Sequence, residues 1–196
     1  MFSGIIENKG VVKEFKKLKD YRLVLDTDLK FTEIKKGSSV CCNGVCLTVI
    51  SKKKLTKKTK LSFDVSRETV NCTNFNQIKL GDLINIEKSL RVGDEISGHF
   101  VFGHVDDTAV LVSSKKVGNS YELKFKVPVK LKKLITKKGS ISINGISLTI
   151  NSIKKGVISL NIIPYTWHNT NLRSLKLGDR INLEVDMLAR YVTQNY

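Results

Sequence analysis

A chain of 196 residues, 41% of them hydrophobic, has enough apolar material to build a core, which excludes a disordered polypeptide. Its 34 Lys and Arg against 18 Asp and Glu give a net charge of +16, yet only six of those basic residues are Arg, and the lysines stand in runs such as Lys52-Lys53-Lys54 and Lys57-Lys58. Bidentate recognition of phosphate or guanine favours Arg, and no recognition helix, zinc-finger spacing or aromatic ribonucleoprotein motif accompanies the lysines, so they read as solvated hairpin tips and not as a specific nucleic-acid interface.

In chain order, segments rich in Val, Ile, Leu and Thr, or alternating apolar with polar, fall at 21–25, 39–50, 60–65, 83–87, 100–105, 121–127, 140–150, 157–163 and 181–185. Each has the length of a strand and is bounded by Gly, Asn, Asp or Lys turns. The Asn43-Gly44 and Asn144-Gly145 pairs suit a turn with positive φ. Helical periodicity is confined to 29–36, 129–137 and the tail 187–194. Many short strands with no helices between them predict antiparallel barrels or sandwiches.

No apolar run approaches the roughly 20 residues that span a bilayer, and the start MFSGIIENKG lacks the basic-then-apolar order of a secretory signal. The expectation is a soluble, cytoplasmic protein without membrane contact. Of the four cysteines, Cys41, Cys42 and Cys46 crowd into six residues of one expected strand, and Cys72 stands alone. Free thiols in a reducing compartment fit that spacing better than a disulfide framework. It also lacks the two tight ligand pairs of a structural zinc site, so no metal is expected, although His99 and His104 add potential ligands.

The most informative feature is an internal repeat. SVCCNGVCLTV at 39–49 is answered by SISINGISLTI at 140–150, an offset of 101, and FSGII at 2–6 by VFGHV at 101–105. Thr69, Thr73, Asn74, Leu80, Gly81, Asp82, Ile84, Asn85 and Glu87 recur 97 residues on, as Thr166, Thr170, Asn171, Leu177, Gly178, Asp179, Ile181, Asn182 and Glu184. The join falls in the polar stretch RVGDEISG at 91–98. The expected domains are 1–97 and 98–186, with a C-terminal helix at 187–196.

These motifs carry a family resemblance. Met1-Phe2-Ser3-Gly4-Ile5-Ile6-Glu7, Asn43-Gly44-Val45-Cys46-Leu47-Thr48-Val49, Glu68-Thr69, Gly81-Asp82 with Asn85-Ile86-Glu87, Gly98-His99, Gly103-His104-Val105-Asp106, Asn144-Gly145-Ile146-Ser147-Leu148-Thr149 and Ile163-Pro164 with Thr166 resemble, in order and over nearly the full length, the riboflavin synthase alpha chains. Phe102, Ser97 and Asp107 depart from the pattern, which carries a small or polar residue or a glycine at these places. The resemblance implies an all-β fold of two similar Greek-key antiparallel β-barrels of about six strands each, plus a short C-terminal helix used in assembling a homotrimer. It implies no cofactor and two ribityl-lumazine substrates. One would be held by the first barrel of one subunit and one by the second barrel of a neighbour, with a four-carbon unit passing between them.

By that resemblance Cys46, His104, Ser147 and Asp186 are the catalytic candidates, with Ser39 and His99 secondary. Each has a plainer reading beside it. Cys46 and Ser147, equivalent in the two repeats, could be small strand residues. His104, standing where the first repeat has Ile5, could be a hydrogen-bonded structural imidazole, as could His99. Asp186, where the first repeat has Ser89, could be a turn former. Substrate contacts fall by family position on Gly4, Ile5, Ile6, Cys46, Leu47, Thr48 and Asp64, Val65, Ser66, Arg67, Glu68 and Thr69 in the first barrel. In the second they fall on Gly103, His104, Val105, Lys138, Ser147, Leu148, Thr149 and Asn161, Ile162, Ile163, Pro164, Tyr165 and Thr166. The rival readings are a lumazine or flavin carrier lacking turnover, a flavin reductase and a basic nucleic-acid binder.

Overall fold

The computed structural model describes residues 1–193. Six strands close the first barrel: β1 (Asn8–Lys17), β2 (Tyr21–Thr27), β3 (Ser39–Cys42), β4 (Val45–Lys54), β5 (Thr59–Val65) and β6 (Leu83–Lys88). A second set closes the other: β7 (Asp107–Val117), β8 (Ser120–Lys126), β9 (Ser140–Ile143), β10 (Ile146–Lys154), β11 (Val157–Ile162) and β12 (Arg180–Val185). Around each barrel the order is the same, β1-β2-β5-β4-β3-β6 and β7-β8-β11-β10-β9-β12, every pair antiparallel. The non-sequential neighbours are the crossovers of a Greek key, and closure leaves no edge strand for another chain to pair with. Short helices α1 (Arg67–Cys72) and α2 (Pro164–Asn169) follow β5 and β11, and α3 (Met187–Thr193) follows β12. The expected helix over 187–196 is observed to Thr193, and its last three residues lie outside the described residues.

Alternation fills each barrel. On β5, Leu61, Phe63 and Val65 point inward and are fully buried, while Ser62 and Asp64 face out. Register slips at Val12/Glu14 and Leu111/Ser113, and at Val49/Ser51 and Ile150/Ser152, put bulges at equivalent places in both repeats. Such bulges bend strands so that a small sheet can close.

Three expectations are corrected. Residues 39–50 and 140–150 are not single strands but tight hairpins: Asn43 and Gly44 at φ 48° and 80°, and Asn144 and Gly145 at 46° and 82°, turn the chain between β3 and β4 and between β9 and β10. Cys41 and Cys46 are therefore register partners on neighbouring strands, and all four cysteines are free. Residues 100–105 form no strand; Val101 makes only an isolated bridge to Phe2. The third concerns Lys52, which is not a solvated tip. Its ammonium donates to the carbonyls of Phe31 and Ile34 and lies 3.9 Å from the Phe31 ring centroid.

The two barrels meet on an internal pseudo-dyad. Phe2 and Val101 exchange backbone hydrogen bonds of 2.7 and 3.0 Å, and with Cys41 they form a small buried core. Beside it lies a buried amide network. Asn171 donates to Asn43 Oδ1 at 3.0 Å, Asn85 donates to Asn171 Oδ1 at 2.9 Å, and Asn182 donates to the Asn43 carbonyl at 2.8 Å.

Candidate active site

Outward positions of β4 and β10 carry Cys46 with Thr48 and Ser147 with Thr149, because their neighbours Val45, Leu47 and Val49, or Ile146 and Ile150, turn inward. Each of these outer walls is lined by the leading loop of the other repeat. The Gly103 carbonyl accepts the Cys46 N–H at 2.9 Å, and the Gly4 carbonyl accepts the Ser147 N–H at 2.8 Å. Val105 packs on the first barrel's core and Ile6 on the second's. Grouping Gly4–Ile6 with the first barrel and Gly103–Val105 with the second, as the sequence positions suggest, is thus corrected: the loops are swapped across the dyad.

Contact in both crossings is too close for a side chain. A Cβ on Gly4 would stand 2.6 Å from that of Ser147, and one on Gly103 2.6 Å from that of Cys46, with φ of +79° and +77°. Only glycine tolerates both the spacing and the left-handed backbone.

Two buried carboxylates hold these loops. Glu87 on β6 accepts the Ser3 N–H at 2.7 Å, the Ser3 hydroxyl at 2.9 Å and the Gly4 N–H at 3.0 Å. Glu184 on β12 accepts the Phe102 N–H at 2.7 Å and the Gly103 N–H at 3.0 Å. Burial raises the affinity of both for a proton, against the pull of those donors, and Glu184 is pushed up to about 7. Burial likewise pushes the Cys41 thiol far up, with both glutamates adding to the shift. Glu87 and Glu184 recur at matched positions of the repeat but had no role assigned from sequence; their signal is a carboxylate at one register in two apolar strands, INIEK and INLEV.

Around Ser147 the structure gathers more polar chemistry. His99 Nδ1 lies 2.7 Å from Ser147 Oγ, and the His99 backbone N–H donates to the Ser3 carbonyl at 3.1 Å. Burial holds the imidazole below its ordinary range, with Asp186 acting in the opposite sense, and so favours the neutral ring. Asp186 precedes α3, and its carboxylate accepts the Leu188 N–H at 3.0 Å. His104 is exposed, its ring 6.1 Å from that of Phe102.

The remaining candidates flank the two walls. In the first barrel, Asp64 is engaged by Arg22 at 2.8 Å, Ser66 accepts the Thr69 N–H as the cap of α1, Arg67 and Glu68 are exposed, and Val65 is a core residue. In the second, Asn161, Ile163, Pro164 and Tyr165 are exposed, Thr166 and Leu148 half-buried, and Ile162 fully buried. Val65 and Ile162 therefore present backbone alone. Lys138 occupies a left-handed position, φ +70°, where the first repeat has Gly37. Ser39 pairs in register with Thr48 and lines a cleft of about 840 Å³ together with Ile5, Glu87 and residues of the 89–97 connection.

The family model described as the lumazine binding domain matches twice, over residues 3–89 and 102–186. The chain is 38% identical to the riboflavin synthase of Photobacterium leiognathi over 194 residues, covering 98% of this chain and 87% of that protein. It is 35% identical to that of Brucella abortus over 196 residues, 99% and 97% of the two chains. The chain belongs to the riboflavin synthase family. The Bacillus subtilis riboflavin synthase, 32% identical across 98% of this chain and 88% of its own, lies in the same range. Crystal structures of LumP complexed with 6,7-dimethyl-8-(1'-D-ribityl) lumazine and with riboflavin superpose with TM-scores of 0.80 and 0.84 over 94% of this chain and 99% of theirs. At 24% identity that likeness is one of fold. Among the described residues no helix is long and apolar enough to cross a membrane.

Proposed function

We propose that the protein makes riboflavin by dismutation, converting two molecules of 6,7-dimethyl-8-ribityllumazine into riboflavin and 5-amino-6-ribitylaminouracil. The observation that carries this reading is the twinned outer wall: one thiol and one hydroxyl at equivalent strand positions, each beside a loop whose glycine backbone crosses from the other repeat. Two like walls suit a reaction between two like molecules.

Backbone groups dominate each wall, and a pteridine-like edge with several donors and acceptors is recognised by such groups. Thr48 and Thr149 stand on the same face, where they can bond the ring, and Asp64 and Asn161 offer side chains to the ribityl hydroxyls. One lumazine gives up a proton from its 7-methyl group and the other accepts the resulting nucleophile at its ring carbon 7. A neutral His99 bonded to Ser147 is equipped to take or return a proton through that hydroxyl. Cys46 offers a thiol at the equivalent place, and Asp186 stands near enough to His99 to bias its protonation.

Cys46 packs against the buried Phe2, Cys41 and Val101, so protein fills the dyad beside it. In this reading two substrates stack face to face where the first barrel of one copy meets the second barrel of another, as in a homotrimer. The test is to mix the purified protein with the ribityl-lumazine and follow the flavin absorbance. Flavin should accumulate to half the lumazine consumed; stoichiometric binding without turnover would make the protein a carrier instead.

A further inference from the structure

We propose that Glu87 and Glu184 are crossed positioning residues: each buried carboxylate fixes its own repeat's leading loop against the opposite barrel, so that Glu184 shapes the Cys46 wall and Glu87 the Ser147 wall. The inference rests on the reading of those walls as substrate sites.

Both side chains are nearly inaccessible, at 3% and 2% exposure, and among the described residues neither forms an ion pair. A carboxylate so buried is costly unless hydrogen bonds compensate it. Here the compensation comes from consecutive backbone amides, Ser3 and Gly4 for Glu87, Phe102 and Gly103 for Glu184. Two N–H groups drawn to the two oxygens of one carboxylate orient the peptide planes of the loop. The Gly4 and Gly103 carbonyls then face away from the carboxylate and receive the amides of Ser147 and Cys46. Each glutamate thus sits on one barrel while the loop it orients lines the other.

An amide in place of the carboxylate keeps the shape but offers one acceptor where two are needed, and its NH2 opposes a backbone N–H. Glu184→Gln should therefore disturb the loop carrying Gly103–Val105, and with it ligand held at the Cys46 wall. The two arrangements are not equal: the Ser3 hydroxyl gives Glu87 a third donor, and Phe102 has none to give Glu184.

The experiment is a fluorescence titration with 6,7-dimethyl-8-ribityllumazine, the two classes of site being assigned by Cys46→Ala and Ser147→Ala. Glu184→Gln is expected to weaken the Cys46 class tenfold or more and leave the Ser147 class within twofold, and Glu87→Gln to do the reverse. Ser3→Ala, which removes one hydroxyl donor and leaves the backbone bonds, should weaken only the Ser147 class, by a few fold, and serves where a glutamine variant does not fold. Each substitution acting on its own barrel's class, on both classes equally or on neither would overturn the inference while leaving the function intact. Wild-type protein that neither binds nor converts the lumazine would overturn both.

Discussion

Gly4 and Gly103 show at the scale of one residue how the sites are built. Any β-carbon there meets the opposite strand at 2.6 Å in a left-handed backbone, so Gly4→Ala should cost about 2 kcal/mol or more, read as a lowered urea midpoint. Lys138 is the converse, a lysine held at φ +70° where its counterpart is Gly37. Strain of that kind persists where the side chain is wanted. Lys138→Gly is expected to stabilise the fold by about 1 kcal/mol while weakening lumazine binding; unchanged affinity in a titration would remove Lys138 from the site. Cys46, Ser147 and His104 were visible as candidates because the repeat sets a chemical difference at matched positions. The His99–Ser147 bond was not, since the two lie 48 residues apart and only the crossing of the loops brings them together.

At the scale of elements, β1 and β7 went unseen. Their alternation is broken at the bulges Val12/Glu14 and Leu111/Ser113, and their far ends, EFKK and SSKKV, put paired lysines in solvent although Phe15 still packs on the core. The opposite error occurred at 100–105, where apolar, strand-like composition serves burial between barrels and not a sheet ladder. α1 was also missed: six residues are too few for a periodic signal, but its cap is explicit, with Ser66 Oγ accepting the Thr69 N–H at 3.1 Å. Ser66→Ala should cost about 1 kcal/mol by thermal unfolding. If the 64–69 segment holds substrate, the same change should raise KM more than it lowers kcat.

Across the whole molecule, the amide network ties one barrel to the other. Asn171→Ala would strand one Asn85 side-chain N–H in a buried setting and remove one of the two donors to Asn43 Oδ1, at a cost of about 1–3 kcal/mol in chemical denaturation. Glu184 adds a pH dependence whose sign is fixed. Its folded value of about 7 exceeds the ordinary 4.5, so the folded state holds the proton more tightly. Its contribution is fully present below pH 4.5 and is lost as pH rises through 7. Wild-type stability relative to Glu184→Gln should therefore fall between pH 5 and pH 8, and a flat difference would contradict the assignment. The loop geometry, by contrast, needs the ionised carboxylate, so substrate affinity at the Cys46 wall should improve over the same interval.

By itself the sequence determined the duplication, the all-β class and the family, because these reside in local patterns: turn pairs such as Asn43-Gly44, alternating strands and motifs recurring at fixed offsets. It could not say which loop belongs to which wall. That was decided by long-range packing about the dyad, where Phe2 bonds Val101, glycines admit the opposite strand, and buried carboxylates orient loops toward the other repeat. Pairings across 57 to 143 residues leave no trace in local periodicity, since their register is set by the closure of two barrels against each other.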